Sequence, residues 1–424
     1  MHLILRLLYI VLSYLLVPVL LLHLFYKGFG NRDYWRRNGE RFGFYSGSVP
    51  DGAIWVHAVS VGEVQAAAAL VRTLLERYPH RPLVLTTTTP TGSDRVRQLF
   101  GDQVIHRYAP FDLAWPIKRF FNWCRPAITI ILETELWPNL YHECGYRKVP
   151  LVLASARVSP KSIKSYRALV SLFKETLSHG IVIAAQTEAD AERFLSLGAA
   201  PERTHVTGNI KFDFELPDGV AREGRQLREE HAAGRPVWIA ASTHANEEEL
   251  ALQAHRLIQQ RFTDALLILV PRHPERFDGI ASLLGRQDCR FVRRSTGRRC
   301  DPRTEVLLGD TMGELMTFYA ASDVAFVGGS LVDIGGHNLL EPASLSLPMV
   351  TGPYTYNAQD IADLFINAGI ARVVDSPQQL ADAVGTLLAN PDARAQQGEK
   401  AQELIEDSRG ALDRLLALLE PLLS

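Results

Sequence analysis

From about residue 52 onward the chain alternates short aliphatic or β-branched runs with amphipathic stretches, and this alternation restricts its fold more than any other feature. AIWVHAV (53–59), PLVLTTTT (82–89), ITIILE (128–133), VPLVLASA (149–156) and GIVIAAQT (180–187) are near-continuous runs of the kind a strand buried on both faces requires. Residues 63–78 and 160–178, between them, carry helical periodicity. Such a succession predicts parallel sheets covered by helices on both faces. The pattern pauses at the turn-rich LPDGVAREG (216–224). It resumes with PVWIAAS (236–242), ALLILVPR (265–272), VLLG (306–309), VAFVGG (324–329) and LPMVTG (347–352). The expectation is two α/β domains of similar size, joined by a linker near residues 212–224. The 424 residues give each domain enough chain for its own core. Residues 390–423 read as helical, and by analogy with other twin-domain α/β proteins this tail is expected to cross back and brace the first domain.

One segment departs from the average. Residues 7–26 contain no Asp, Glu, Lys or Arg in 20 positions, which as a helix would reach roughly 30 Å, the thickness of a bilayer's hydrocarbon core. A cleaved signal peptide would end in small residues, and Leu24-Phe25-Tyr26-Lys27 has none. Beyond the run, Lys27, Arg32, Arg36, Arg37 and Arg41 outnumber Asp33 and Glu40, which predicts a cytoplasmic flank with Met1 outside. The reading is a single-pass signal-anchor with the main body inside the cell. Pro18 and Arg6 interrupt the span and leave a monotopic or core helix as the alternative. Over the whole chain, 45 Lys and Arg against 47 Asp and Glu exclude a strongly polybasic nucleic-acid binder and an acidic tail. Cys124, Cys144, Cys289 and Cys300 are too scattered for a disulfide framework or a structural zinc site.

In two parallel sheets, ligands sit outside the carboxyl ends of the strands, so a cleft between the domains is expected there. The unusual polar residues fall at those strand ends. In His57-Ala58-Val59-Ser60-Val61-Gly62-Glu63 a strand ends, a turn follows and Glu63 opens a helix. Glu63 is either a first-turn carboxylate favoured by the helix dipole or, facing the cleft, a base for an incoming hydroxyl. Glu133-Thr134-Glu135-Leu136-Trp137-Pro138-Asn139 also follows a strand; on an extended backbone its two carboxylates would point the same way. Lys211, in Gly208-Asn209-Ile210-Lys211-Phe212-Asp213, is either a phosphate partner or a surface lysine.

The second domain offers anion-binding turns. Ser242 and Thr243, before Glu247, Glu248 and Glu249, either cap a helix or frame a phosphate-binding turn. Pro271-Arg272-His273-Pro274-Glu275-Arg276-Phe277 predicts a rigid loop whose arginines suit a phosphate or a base edge. Gly309-Asp310-Thr311-Met312-Gly313-Glu314 is a further strand, turn and helix start. Gly335-Gly336-His337-Asn338-Leu339-Leu340-Glu341-Pro342 follows Gly328-Gly329-Ser330, glycines that let backbone approach a ligand closely. P-loop, dinucleotide, nucleophile-elbow and HExxH motifs are all missing, as is the DxD of metal-dependent transferases. A metal-free transferase that relies on protein cations and helix termini fits these motifs best, with no cofactor.

In order along the chain, the anchor, VHAVSVGE, ETELWP, GNIKFD, the STH turn, PRHPERF, GDTMGE and GGHNLLEPA resemble the bacterial 3-deoxy-D-manno-octulosonic acid (Kdo) transferases of lipid A assembly. The resemblance spans nearly the whole chain. It implies a GT-B fold: two Rossmann-like domains, at 28–215 for the acceptor and 216–424 for the CMP-sugar, after an anchor at 1–27. It further implies inverting transfer of Kdo from CMP-Kdo to the tetraacylated lipid A precursor at the cytoplasmic face of the bacterial inner membrane. Glu63 is then the general base, and Glu133 and Lys211 stabilise the transition state. Pro271, Arg272, Met312, Gly313, Glu314, Asn338, Leu339, Leu340 and Glu341 hold the CMP moiety. Membrane lipids are the further partners, the basic flank at 27–41 attracting their phosphates, and nucleic acid is not one. The rival readings are a UDP-sugar transferase of the same fold and a nucleotide-sugar epimerase, which would need no anchor.

Overall fold

The apolar runs form two sheets of seven parallel strands each among the described residues. The computed structural model describes residues 2–133, 135–158, 163, 180–214, 216 and 218–423. The helix expected at 160–178 lies outside these, Ile163 apart. Two compact units result: Met1–Phe214 with Ser408–Ser424, and Glu215–Asp407.

In the first unit the strands are β1 (Ala53–His57), β2 (Leu83–Thr87), β3 (Ile105–Tyr108), β4 (Pro126–Leu132), β5 (Leu151–Ala156), β6 (Val182–Ala185) and β7 (Thr204–Val206). Their spatial order is β3-β2-β1-β4-β5-β6-β7. Every residue of β1 is buried, and its side chains alternate between two cores. Trp55 packs with Phe120, Phe121 and Tyr141 on one face, and Ile54 and Val56 pack with Leu70 and Val71 on the other. The second core is completed by Ala411, Leu415, Leu416, Leu419 and Leu423 of the last helix, Ala411–Leu423. Gly410, at φ +81°, separates that helix from Pro391–Ser408, and the Asp213 carboxylate accepts the N–H groups of Gly410 and Leu412. The second domain therefore ends near residue 407, and not at the C-terminus, because this leucine face is buried in the first core.

The second unit has β8 (Val237–Thr243), β9 (Leu266–Pro271), β10 (Phe291–Arg293), β11 (Val306–Leu308), β12 (Val324–Val327), β13 (Met349–Thr351) and β14 (Ala371–Val373), ordered β10-β11-β9-β8-β12-β13-β14. Each sheet thus reverses direction once, between β1 and β4 and between β8 and β12. Crevices at such reversals are where open parallel sheets take ligands. The four edge strands β3, β7, β10 and β14 have no apolar run to betray them, since edges are half exposed and carry polar residues. The expected linker is shorter than 212–224: Ile210–Phe212 is a 3₁₀ turn and a helix already starts at Val220.

Each sheet carries an irregularity near the carboxyl end of one strand. Ser155 in β5 and Ser242 in β8 adopt left-handed backbone (φ +50° and +56°), and the strand register shifts there. Each costs about 1–2 kcal/mol for a non-glycine residue, a strain that usually marks a functional site.

At the amino terminus the expected single span is two helices, His2–Leu15 and Val17–Gly30, bent by 41°. Pro18 lacks the N–H that would continue the first helix. No single helix among the described residues is long and apolar enough to cross a membrane; only the bent pair meets that test, by length and composition. The first helix is tied to the domain, with the Tyr9 hydroxyl on Asp112 Oδ2 at 2.8 Å and the Trp115 N–H on the Tyr14 hydroxyl at 3.1 Å. Its Leu8, Val11 and Leu15 are exposed, as are Leu22 and Phe25 of the second helix. Within the basic flank Arg37 pairs with Glu40, and the buried Arg41 donates to the Thr88 carbonyl. Arg37 and Arg41 are thus engaged by the domain, while Lys27, Arg32 and Arg36 are exposed, Arg36 pairing with Asp33 at 2.9 Å.

Candidate active site

At the reversal of the first sheet, Glu63 follows β1 and Glu133 follows β4. Glu63 sits in the first turn of Val61–Ala66, where its Oε2 accepts the Val59 N–H at 2.8 Å. The carboxylate caps backbone, as the first reading has it, and it is half-buried among charges. Burial pushes its carboxyl up to about 8. The Glu133 charge adds to the rise, the Val59 N–H pulls it down, Glu135 pushes it up again and Lys211 opposes. A carboxyl so placed exchanges its proton near neutral pH, as acid–base work requires.

Glu133 is turned to this place by an uncommon backbone, φ +58°. The segment is therefore not extended at Glu133, and the expected shared direction of Glu133 and Glu135 does not arise from a regular strand; Thr134 lies outside the described residues. Lys211 Nζ meets Glu133 Oε1 at 2.7 Å, both side chains mostly buried. Asn209 positions Lys211 by accepting its N–H at 3.0 Å, and the Ile210 N–H bonds the hydroxyl of the strained Ser155 at 3.1 Å. The three predicted residues Glu63, Glu133 and Lys211 are thus brought within electrostatic reach of one another. Sequence reasoning did not assign two neighbours. Glu135 is pushed up to about 7 by burial, with Trp137 opposing and Glu133 assisting. His57 is fully buried and held neutral at about 4 by desolvation; it bonds Thr86 and packs on Trp137 at 4.9 Å between ring centroids.

In the second unit the acidic turn behaves differently from the expectation. Neither Ser242 nor Thr243 caps the helix Glu247–Gln259, whose N-cap is Asn246. The Thr243 hydroxyl bonds Glu248 at 3.0 Å, and Arg276 grips the fully buried Glu248 at 2.6 and 2.9 Å. Glu247, also fully buried, accepts the N–H groups of His244, Gly329, Ser330 and Leu331. The amide of His244, next to the Ser242–Thr243 turn read as a possible phosphate site, is thus taken by the chain's own carboxylate. The buried carboxylates position the glycine loop.

Pro271 ends β9 beside Thr243, the Arg272 N–H bonds the Thr243 carbonyl at 3.0 Å, and Arg272 is exposed. Met312 is exposed and Gly313 sits at φ +86°, a backbone open to close approach. Glu314 is not free: Arg294 holds it at 2.7 Å and Thr311 bonds it too. Burial would raise its carboxyl, but these partners keep it below the usual range. In the last motif Leu339 and Leu340 bury their side chains, so only their backbone faces outward chemistry. Asn338 accepts the Leu340 N–H at 3.1 Å, and Glu341 opens the short helix Leu340–Ala343.

Comparison with known proteins follows this geometry. Residues 36–214 match the family model of 3-deoxy-D-manno-octulosonic-acid transferases, and residues 235–404 match that of group 1 glycosyl transferases. The 3-deoxy-D-manno-octulosonic acid transferase of Haemophilus influenzae is 44% identical over 393 residues, 92% of each chain. That of Bordetella pertussis is 38% identical over 379 residues, 87% of this chain and 86% of the relative. Among solved structures, the UDP-GlcNAc 2-epimerase of Neisseria meningitidis aligns at TM-score 0.56 with 15% identity, covering 86% of this chain and 100% of that one. The glycotransferase of kitacinnamycin aligns at 0.56 with 14% identity, covering 88% and 100%. These two structures speak for the fold alone, two parallel-sheet α/β domains of the GT-B kind, which epimerases and transferases share. With its relatives matched over nearly their full length, the chain belongs to the Kdo transferase family and is a glycosyltransferase.

Proposed function

We propose that this chain transfers Kdo from CMP-Kdo to a hydroxyl of the tetraacylated lipid A precursor in lipopolysaccharide synthesis. Glu63 takes the proton of the acceptor hydroxyl. That oxygen attacks the anomeric carbon as the C–O bond to CMP breaks on the opposite face, so the configuration inverts. Charge develops on the leaving phosphate, which Arg272 and the backbone of Met312–Glu314 offset, while Asn338 to Glu341 hold the ribose side of the nucleotide. The Glu133–Lys211 pair stabilises the transition state beside the base. The bent amino-terminal helices tether the protein to the cytoplasmic face of the inner membrane, with Lys27, Arg32 and Arg36 near the lipid phosphates.

The observation that carries this reading is the half-buried Glu63 carboxyl, raised to about 8 beside Glu133 and Lys211 at the sheet reversal. Incubation of the full chain with CMP-Kdo and the tetraacylated precursor, followed by mass spectrometry of the lipid, tests it. Kdo-bearing lipid is expected from the natural sequence, and about 10²–10⁴-fold less from Glu63→Gln with CMP binding retained. Unchanged turnover in that variant would remove Glu63 from the role, and absence of Kdo-bearing lipid would refute the substrate assignment.

A further inference from the structure

The reversal point of the second sheet holds a histidine cluster to which no role has yet been given. His244 follows β8, His273 follows β9 and His337 lies in the glycine loop after β12. The Nε2 atoms of His244 and His337 stand 2.9 Å apart, with the rings parallel within 9°. His273 stands edge-on to His244, centroids 5.2 Å apart, with Glu275 near its Nδ1 at 3.8 Å. The floor of the pair is Gly329, at φ +67°; a Cβ there would come within 3.0 Å of the His337 ring and 3.4 Å of His244. Glu247 faces the pair only through backbone, its oxygens already bonded to amides. The cations facing it are Arg276, consumed by Glu248, and Arg272, which is exposed and has no ion pair among the described residues. Burial first, and then the neighbouring rings and arginines, lower His244 to about 4 and His337 to about 3, so both are neutral in the free protein.

A neutral pair joined through Nε2 has one ring donating N–H and the other accepting. Of the two outer Nδ1 atoms, one then carries a proton and the other is a bare acceptor. Neither Nδ1 has a hydrogen-bond partner among the described residues. A bare nitrogen repels an anionic oxygen. One proton placed on it turns the pair into two outward donors and keeps the Nε2–H···Nε2 bond. Buried and beside Arg272, the empty site resists that proton; a bound anion supplies the opposite charge that favours it.

We propose that His244 and His337 form a proton-coupled anion site, which takes a phosphate or carboxylate oxygen of the donor together with one proton from solvent. The proposal rests on the donor reading above, since an activated sugar acid carries both groups. It is tested by isothermal titration of the full chain at pH 7 in two buffers of different ionisation enthalpy, with CMP, free Kdo and cytidine as probes. The natural sequence should take up about one proton more per bound anion than His337→Gln or His244→Gln, and none with cytidine. The comparison with the variants removes the ionisation of the phosphate itself. Between pH 6 and 8 the affinity of the natural sequence should weaken by about tenfold per unit relative to the variants. Uptake with CMP alone assigns the phosphate, and uptake with Kdo alone the carboxylate. An equal proton count in natural and variant proteins for both anions, or uptake with cytidine, overturns the proposal. Preference for UDP over CMP would overturn the donor reading, and the proton count on UDP would still decide the histidine pair.

Discussion

Glu63 shows how much a single carboxylate owes to its surroundings. In its sequence it is a glutamate in the first turn of a helix, a position where the dipole alone would keep it ionised. In the fold, burial first and then the charges of Glu133 and Glu135 push its carboxyl up to about 8. A base must be deprotonated to act, so the rate of transfer should rise with pH through about 8. Replacing Glu133 with Gln removes a negative neighbour of Glu63 together with its ion pair to Lys211. The acid limb of the pH–rate profile should then move to lower pH, and Lys211→Met should move it higher. Normalised rates from pH 6 to 9 check both shifts; a limb that stays in place in both variants would mean that another group titrates. Glu63 and Glu133 were legible as candidates in the sequence because each follows a strand-like run, and Lys211 because it stands in the GNIKFD motif at the end of the first domain. Their mutual charge coupling was not, since they are far apart along the chain.

At the scale of elements, the helix Glu247–Gln259 was foreseen, but the task of its acidic turn was not. Three glutamates in a first turn suit the helix dipole. Two of them in fact point inward, Glu247 to the amides of the glycine loop and Glu248 to Arg276. Glu248 has no exposed surface, so removal of its guanidinium partner strands a charge in the interior. Arg276→Ala should therefore destabilise the second unit by about 3–5 kcal/mol, lowering its melting transition by about 10 °C. Calorimetry of the full chain measures this; a shift under about 2 °C would show that water or another cation replaces the arginine. The amino-terminal segment teaches the complementary lesson. Its lack of charge was plain, but one proline turned the expected rod into two helices at 41°.

For the whole molecule, the last helix decides where the domains end. Composition marked residues 390–423 as helical, yet only the fold shows that Leu415, Leu416, Leu419 and Leu423 fill the core beside Leu70 and Val71. Burial of one such leucine is worth about 1.5–3 kcal/mol, so a chain cut after Asp407 loses more than a domain usually has to spare. The first unit of the shortened chain should unfold or be digested rapidly by protease, while the second keeps its own melting transition. Persistence of both transitions would show that the helix is dispensable. The two α/β domains, their parallel strands and the polar residues at the strand ends were determined by the sequence itself, because buried parallel strands demand unbroken apolar runs and strand ends stand next to them in the chain. The half-exposed edge strands, the strained serines, the core contacts of the carboxyl-terminal leucines and the facing histidines were decided only by the tertiary structure. Those features depend on which distant residues share a surface, and local periodicity carries no record of that.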